Sequence, residues 1–190
     1  ELVPYKKLIG AGIPSIMIAH LEVPAIQQND IEPATISKPI VTNLLKNELG
    51  FKGLVVTDAM EMGALVNAYG SDSSAVRAIE AGVDLMMILP DEDGAVEAIE
   101  NAVKTGRLQE SRIDQSVRKI LELKWDLGLV ENRFIDLKKV SEVVATPEHL
   151  QLAKRIARNS ITVLKNDSIL PLVRFGSKKI LNIKIGRAHV

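Results

Sequence analysis

The sequence contains no cysteine, which excludes disulfide bonds, thiolate nucleophiles and cysteine-ligated zinc sites. Its three histidines, His20, His149 and His189, are too far apart along the chain to suggest a metal site. No glycine-rich segment has the spacing of a phosphate-binding or dinucleotide-binding loop. We therefore expect neither a metal ion nor another cofactor.

An excess of one charge is also missing, since 24 Lys and Arg balance 24 Asp and Glu. One Trp, two Tyr and three Phe are too few for a surface that stacks nucleic-acid bases, so no nucleic-acid partner is expected. No apolar run reaches the roughly 18 residues that a membrane-spanning helix needs, and the first residues do not resemble a signal peptide. The 46% of hydrophobic residues in a chain of 190 indicates a globular fold.

Three short apolar segments, residues 15–19, 54–57 and 85–89, are typical of strands buried inside a parallel sheet. Segments with helical spacing follow at residues 37–49, 75–81 and 93–105, with Ser37 and Asp93 as expected N-caps. This alternation predicts right-handed strand–helix–strand units. A complete (β/α)8 barrel takes about 250 residues, so we predict a partial TIM barrel consisting of its last three strand–helix units. Alone, it should expose apolar surface and aggregate or bind hydrophobic dyes.

The sequence after the third unit predicts the start of a second domain. A capping-box pattern at residues 111–114 predicts a further helix, and the polar residues 131–145 resemble a linker. A helix is expected from Pro147 to Asn159, followed by strands at 161–164 and 179–185. We therefore predict part of a barrel domain over residues 1–140 and, over 141–190, a linker and the beginning of an α/β domain.

Residues at the carboxyl ends of the predicted strands are candidates for an active site, because parallel α/β folds place their sites at that edge. Asp58 follows the second strand, where it is either the N-cap of the next helix or a catalytic carboxylate. His20 follows the first strand and either orients a substrate or hydrogen-bonds to a neighbouring loop. Asp91 and its acidic neighbours fit helix capping, and Asp84, at the amino end of its strand, is expected to be structural.

Several segments together resemble successive motifs of family 3 glycoside hydrolases, and specifically of the β-N-acetylglucosaminidase branch. They are residues 17–20, 33–38, 49–60, 80–84 and 118–129. Residues 159–166 and 170–172 are similar to the opening of the second domain in two-domain members. The segment Pro-Ala-Thr-Ile-Ser at 33–37 and the strand ending at His20 favour this branch over the β-glucosidases.

The resemblance implies a retaining hydrolysis of terminal β-linked N-acetylhexosamine, in which an aspartate attacks the anomeric carbon. Asp58 matches that nucleophile, while His20 and Met62 match positions near the substrate. The proton donor of the branch resembles a histidine backed by an aspartate on an earlier loop, which we expect outside this chain. The isolated chain should therefore be inactive. A β-glucosidase or xylosidase of the same family, or an inactive barrel fragment, are the alternatives.

Two further expectations concern the C-terminal residues and the cellular location of the protein. Residues 185–190 match no family motif and equal the translation of a common sequencing adapter, so we predict that they are not native and that His189 has no function. Two-domain members of the branch are often exported to meet sugars derived from peptidoglycan or chitin, which implies export here. The oligomeric state is left open.

Overall fold

The computed structural model describes residues 1–27, 31–167 and 170, and the chain forms two compact units that divide between Phe134 and Ile135. Within the described ranges, no helix has the length and apolar character needed to cross a membrane. The first unit contains the sheet and most of the helices. As far as the structure describes it, the second unit contains one 3-10 turn and two helices, whose bounds are given at the end of this subsection.

A parallel sheet of three strands in the order β1-β2-β3 forms the centre of the first unit. The strands are β1, Ser15–Ile18; β2, Leu54–Ala59; and β3, Leu85–Met87. Ser15 pairs with Leu54 and Ile18 with Thr57, so β1 and β2 are aligned without a shift. The predicted α/β class is confirmed, with consecutive neighbouring parallel strands as in one sector of a (β/α)8 barrel.

Helical segments precede, connect and follow the strands. In chain order they are α1, Val3–Gly10; α2, Pro24–Gln27; a 3-10 turn, Ala34–Ile36; a π-helical segment, Pro39–Glu48; α3, Gly63–Tyr69; α4, Ser71–Ala81; α5, Glu92–Lys104; and α6, Glu110–Asp126. The π-helical segment ends with Leu49 N donating to Leu44 O, five residues back, at 2.8 Å. Gly82 then ends α4 with a φ of 116°.

The core lies on one face of the sheet, against the helices. Ile16 and Val55 are buried there with Val41 and Leu65, while Met17, the neighbour of Ile16, is 61% exposed. Leu85 and Met87 of β3 are also exposed. In a closed barrel such residues line the interior, where side chains from the other strands would cover them.

The strands end at other residues than predicted, because a strand ends where its pairing with the neighbouring strand ends. β2 continues two residues beyond Thr57, so Asp58 lies within the strand and not after it. β1 ends one residue early, at Ile18, and β3 ends two residues early, at Met87. Ile88 has a φ of 48°, which is outside the extended region and stops the third strand.

Three predicted helix starts were wrong. Asp91, and not Asp93, caps α5 by accepting a hydrogen bond from Gly94 N at 3.0 Å. Ser37 does not cap with its side chain, which is buried against Gln27. Helix α6 begins ahead of the predicted capping box, so residues 111–114 lie inside it. Helix α3 and the first turn of α4 were not predicted.

The second unit begins with a 3-10 turn, Leu137–Lys139, and a short helix α7, Val140–Val143, within the segment predicted as a linker. Helix α8, Pro147–Asn159, has the predicted bounds, and Thr146 Oγ1 accepts from His149 N at 3.3 Å. Residues 161–164 do not form the predicted strand. The strand predicted at 179–185 and the tail 185–190 lie outside the described residues. The division into a barrel domain and a second α/β domain stays a prediction.

Candidate active site

Asp58 is the penultimate residue of β2, at the carboxyl edge of the sheet, and its side chain is half-buried. Its Oδ1 accepts a hydrogen bond from Ala59 N at 2.8 Å. Among the described residues, no group donates to the other oxygen, Oδ2. The alternative role as a helix cap is wrong, because the next helix begins at Gly63 with Met62 at its N-cap position. Asp58 is thus a strand carboxylate with one oxygen held and one oxygen open.

An irregular stretch of the sheet lies directly at Asp58. Val56 pairs with Leu85 but Ala59 pairs with Met87, so β2 carries one more residue than β3 across this interval. The buried Thr57 fills the gap, since its Oγ1 accepts from Met87 N at 2.9 Å. A bulge of this kind bends the strand and redirects the side chains around it, which is why bulges recur beside active sites.

Backbone hydrogen bonds hold the segment after Asp58 against the end of β3. Met60 N donates to Met87 O at 2.9 Å, and Glu61 N donates to Ile88 O at 3.1 Å. The strained backbone of Ile88 allows its carbonyl to reach Glu61 after the strand has ended. The backbone on the carboxyl side of Asp58 is therefore fixed by the third strand.

His20 lies beside this segment with both ring nitrogens engaged by protein atoms. Its Nε2 is 2.8 Å from Ala59 O, and its Nδ1 is 2.7 Å from Thr35 Oγ1. A carbonyl oxygen only accepts, so Nε2 carries the proton. In the neutral ring, Nδ1 then accepts from the hydroxyl of Thr35. The contacts match the alternative in which His20 hydrogen-bonds to a neighbouring loop, and they leave neither nitrogen available to a sugar.

Thr35 is the residue of this site that the sequence did not single out. It is fully buried, as is Ser37 in the same segment, whose Oγ accepts from Gln27 Nε2 at 3.1 Å. Gln27 also accepts from Val23 N at 2.7 Å and thereby ties the loop together. The sequence does contain a signal for this role, because two hydroxyl residues lie inside an otherwise apolar segment of five residues. Buried hydroxyl groups need hydrogen-bond partners, so such residues are candidates for a contact with the site.

Met62, the third predicted site residue, lies at the start of α3 and is half-buried. Its backbone N donates to Ala59 O at 3.2 Å, so this carbonyl accepts from both Met62 and His20. The structure thus brings the three predicted residues around the backbone of one residue, Ala59. A direct contact of Met62 with a sugar stays a prediction.

The opposite edge of the sheet contains a buried carboxylate, that of Asp84, whose side chain is 1% exposed. It accepts from Ser116 Oγ at 2.8 Å, Val55 N at 3.1 Å and Lys119 Nζ at 3.1 Å. Burial by itself would raise the pKa of Asp84, but these hydrogen bonds and the nearby lysines lower it overall. Asp84 is therefore an ionised structural anchor.

Two other features do not add to the site. A groove of about 420 Å³ between α1 and α6 lies at the amino edge of the sheet, near Gly53 and Lys119, and includes neither Asp58 nor His20. In the described ranges, no three His, Asp or Glu side chains are grouped as a metal ion would require.

The chain's sequence and fold both match known proteins. The N-terminal domain of glycosyl hydrolase family 3 matches residues 1–123. The chain belongs to glycoside hydrolase family 3. This confirms the predicted family, and the predicted fold with it, because the solved relative described next has the same architecture over most of the chain.

That relative is a family 3 β-N-acetylglucosaminidase from Paenibacillus sp. str. FPU-7, with a TM-score of 0.72 and 36% identity, covering 87% of this chain and 32% of that one. A β-N-acetylglucosaminidase/β-glucosidase of Cellulomonas fimi is 29% identical over 94% of this chain and 33% of its own length. A probable β-glucosidase C of Aspergillus flavus is 34% identical over 90% of this chain and 28% of its own length. The chain thus spans about a third of the length of these relatives, which differ in the sugar that their names give.

Proposed function

We propose that this chain supplies the nucleophile of a retaining exo-glycosidase that removes terminal β-linked N-acetylhexosamine, and that Asp58 is that nucleophile. The observation that supports it is the state of the Asp58 carboxylate. Ala59 N holds Oδ1, while Oδ2 has no partner among the described residues and lies at the edge where barrel enzymes bind their substrates. A nucleophilic carboxylate must be oriented and open in this way.

In the proposed reaction, Asp58 Oδ2 attacks the anomeric carbon of the sugar while the bond from that carbon to the leaving oxygen breaks. A proton donor, which the family resemblance places outside this chain, protonates the leaving oxygen. Water then attacks the glycosyl-enzyme ester at the anomeric carbon, and the same outside group takes the proton. Asp58 is released as a carboxylate, so the cycle closes. The hydrogen bond from Ala59 N stabilises the charged oxygen before attack and after release.

The choice of N-acetylhexosamine over glucose or xylose rests on the segments that separate the branches. Residues 33–37 and the strand ending at His20 favour the N-acetylglucosaminidase branch, and in the structure Thr35 and His20 meet at 2.7 Å next to the Asp58 segment. Relatives with both kinds of name support the glycosidase class equally. A β-glucosidase or xylosidase of the same family is therefore the second candidate.

Replacement of the nucleophile tests the role of Asp58. In the complete gene product, Asp58→Asn keeps the size of the side chain but removes the attacking charge, so kcat should fall at least a thousandfold, or about 4 kcal/mol. The matched control is Asp91→Asn, because asparagine caps α5 about as well as aspartate, and kcat should not change. Circular dichroism checks that both variants fold. A fluorinated sugar trapped on the enzyme should label Asp58, and a label on any other residue would refute the assignment.

A comparison of substrates tests the sugar. The complete gene product should hydrolyse an aryl β-N-acetylglucosaminide with a higher kcat/KM than the corresponding glucoside or xyloside. Faster hydrolysis of the glucoside would support the second candidate and leave Asp58 as nucleophile. The 190 residues alone should show no hydrolysis above background, because the family resemblance places the proton donor outside them.

A further inference from the structure

The backbone of Ala59 is held at both its N–H and its C=O group, and the N–H group leads directly to Asp58. Ala59 N donates to Asp58 Oδ1 at 2.8 Å, and Ala59 O accepts from His20 Nε2 at 2.8 Å. The direction of the N–H group depends on the backbone of Ala59. The N–H lies in the peptide bond with Asp58 and the C=O in the peptide bond with Met60, so a shift of the carbonyl reaches the N–H through rotation about the Ala59 Cα and thereby alters the hydrogen bond that orients the carboxylate.

Register explains why His20 reaches this carbonyl. Ile18 pairs with Thr57 in the aligned parallel pair, so two further residues along each strand bring His20 beside Ala59. The ring then spans the gap that the backbone leaves after β1 has ended at Ile18. His20 thus extends the contact between the two strands past the last backbone pairing.

Thr35 supports the tautomer of His20 that the carbonyl of Ala59 requires. Its hydroxyl is 2.7 Å from Nδ1, with Ala19 O at 3.3 Å as another acceptor. Donation to Nδ1 keeps the proton of the neutral ring on Nε2, where it can reach Ala59 O. Because Thr35 is fully buried, the hydroxyl has no access to water, and its loop is fixed by the bond between Gln27 and Ser37.

We propose that His20 and Thr35 are positioning residues, which orient the carboxylate of Asp58 through the backbone of Ala59 and do not bind the sugar. The inference rests on the proposed function of Asp58. Misplacing a reacting group by about 1 Å can cost roughly 100-fold in rate, so the loss of a residue that orients it should lower activity measurably. A positioning role acts on the chemical step, so kcat should change while KM does not.

The main test is a pair of Thr35 variants in the complete gene product. Thr35→Val keeps the shape but removes the hydroxyl, and kcat and the rate of trapping by a fluorinated sugar should both fall about 10-fold or more, with KM within threefold. Thr35→Ser retains the hydroxyl and should stay within threefold of the parent. Thr42→Val is the matched control, since the Thr42 hydroxyl donates to Ala81 O at 2.6 Å, away from Asp58. A rise in KM at constant kcat, or equal losses in the Val and Ser variants, would overturn the proposal.

Two further measurements keep the proposal testable if Thr35→Val does not fold. His20→Gln places an amide donor near Ala59 O and should retain more activity than His20→Leu, which has none. Long-range ¹H–¹⁵N correlation of the parent protein should show His20 as the Nε2–H tautomer. Equal activity of the two His20 variants, or an Nδ1–H tautomer, would overturn it.

The outcome for Asp58 separates this inference from the proposed function. If Asp58→Asn leaves kcat unchanged, the nucleophile assignment fails and the positioning role fails with it. If Asp58→Asn abolishes activity and Thr35→Val leaves kcat unchanged, only the positioning role is wrong.

Discussion

Replacement of Asp84 by asparagine is expected to destabilise the first unit by about 3 kcal/mol. The carboxylate is 1% exposed and lies 3.1 Å from Lys119 Nζ, 3.5 Å from Arg112 Nη1 and 3.6 Å from Lys46 Nζ. Asparagine can turn its amide nitrogen toward the hydroxyl of Ser116 and keep its oxygen toward Val55 N. What it cannot replace is the negative charge between three cations.

The size of this loss in stability follows from the burial of Asp84 and of its three cationic partners. Removing one partner of a buried ion pair typically costs 3–5 kcal/mol, because the remaining charge is left without compensation. Here the side chains of Lys46 and Arg112 are each 20% exposed and that of Lys119 is 29% exposed, so water recovers part of the cost. The lower end of the range is therefore expected. At about 2–4 °C for each kcal/mol, the melting temperature should fall by roughly 6–12 °C.

Thermal and urea unfolding of the parent and the variant measure this loss. The control is Glu80→Gln, which removes the same charge from a surface pair with Arg107, whose side chains are 34% and 50% exposed. That pair should contribute less than about 1 kcal/mol. If Asp84→Asn costs no more than Glu80→Gln, the three cations do not depend on Asp84, and the assignment of a structural anchor is incorrect.

Two other predictions concern the same edge of the sheet. Burial, opposed in part by Asp84, lowers the pKa of Lys46 to about 8, so between pH 8 and 10.5 the unfolded chain binds more protons than the folded one. In urea titrations, the free energy of unfolding of the parent should therefore rise from pH 8 to pH 10 relative to that of Lys46→Met. An equal pH dependence of the two proteins would contradict the lowered pKa of Lys46. Gly82→Ala should destabilise by more than about 2 kcal/mol, because Gly82 has a φ of 116° and a new Cβ would lie 2.8 Å from Thr42 Oγ1. Gly106 has a φ of 76°, and a Cβ added there would meet no neighbouring atom within 4 Å among the described residues, so Gly106→Ala should cost only the backbone strain of about 1 kcal/mol. Equal losses at the two glycines would show that the contact between the new Cβ at position 82 and Thr42 has no effect.

The sequence predicted the three strands of the sheet well because each is a run of apolar residues, a local property, although the same pattern at 161–164 does not form a strand. Their ends depend on partners that are distant in sequence. β2 reaches Ala59 because Met87 N bonds to Thr57 Oγ1 and because Ala59 pairs with Met87, neither of which a local pattern contains. The cap of α5 was misplaced by two residues because Asp91 and Asp93 are both acidic, and the free energies of neighbouring starts differ by little.

The candidate site was predictable in part for the same reason. Asp58 follows an apolar run and was found from that position. Its supporting contacts were not predictable, since His20 meets Thr35 across 15 residues and Ala59 across 39. The partner atom in the second contact is a backbone carbonyl, which no residue type in the sequence marks.

The two aspartates at opposite edges of the sheet show what distinguishes a structural carboxylate from a candidate nucleophile. Side-chain burial alone would select Asp84, whose side chain is only 1% exposed. Hydrogen bonding gives the opposite answer. Both oxygens of Asp84 accept hydrogen bonds, Oδ1 from Ser116 and Oδ2 from Val55 and Lys119, and the side chain is 1% exposed, so neither oxygen is open to a substrate. Asp58 has one oxygen fixed by Ala59 N and one that no described residue occupies, and only a carboxylate in that state can be oriented and reactive at once.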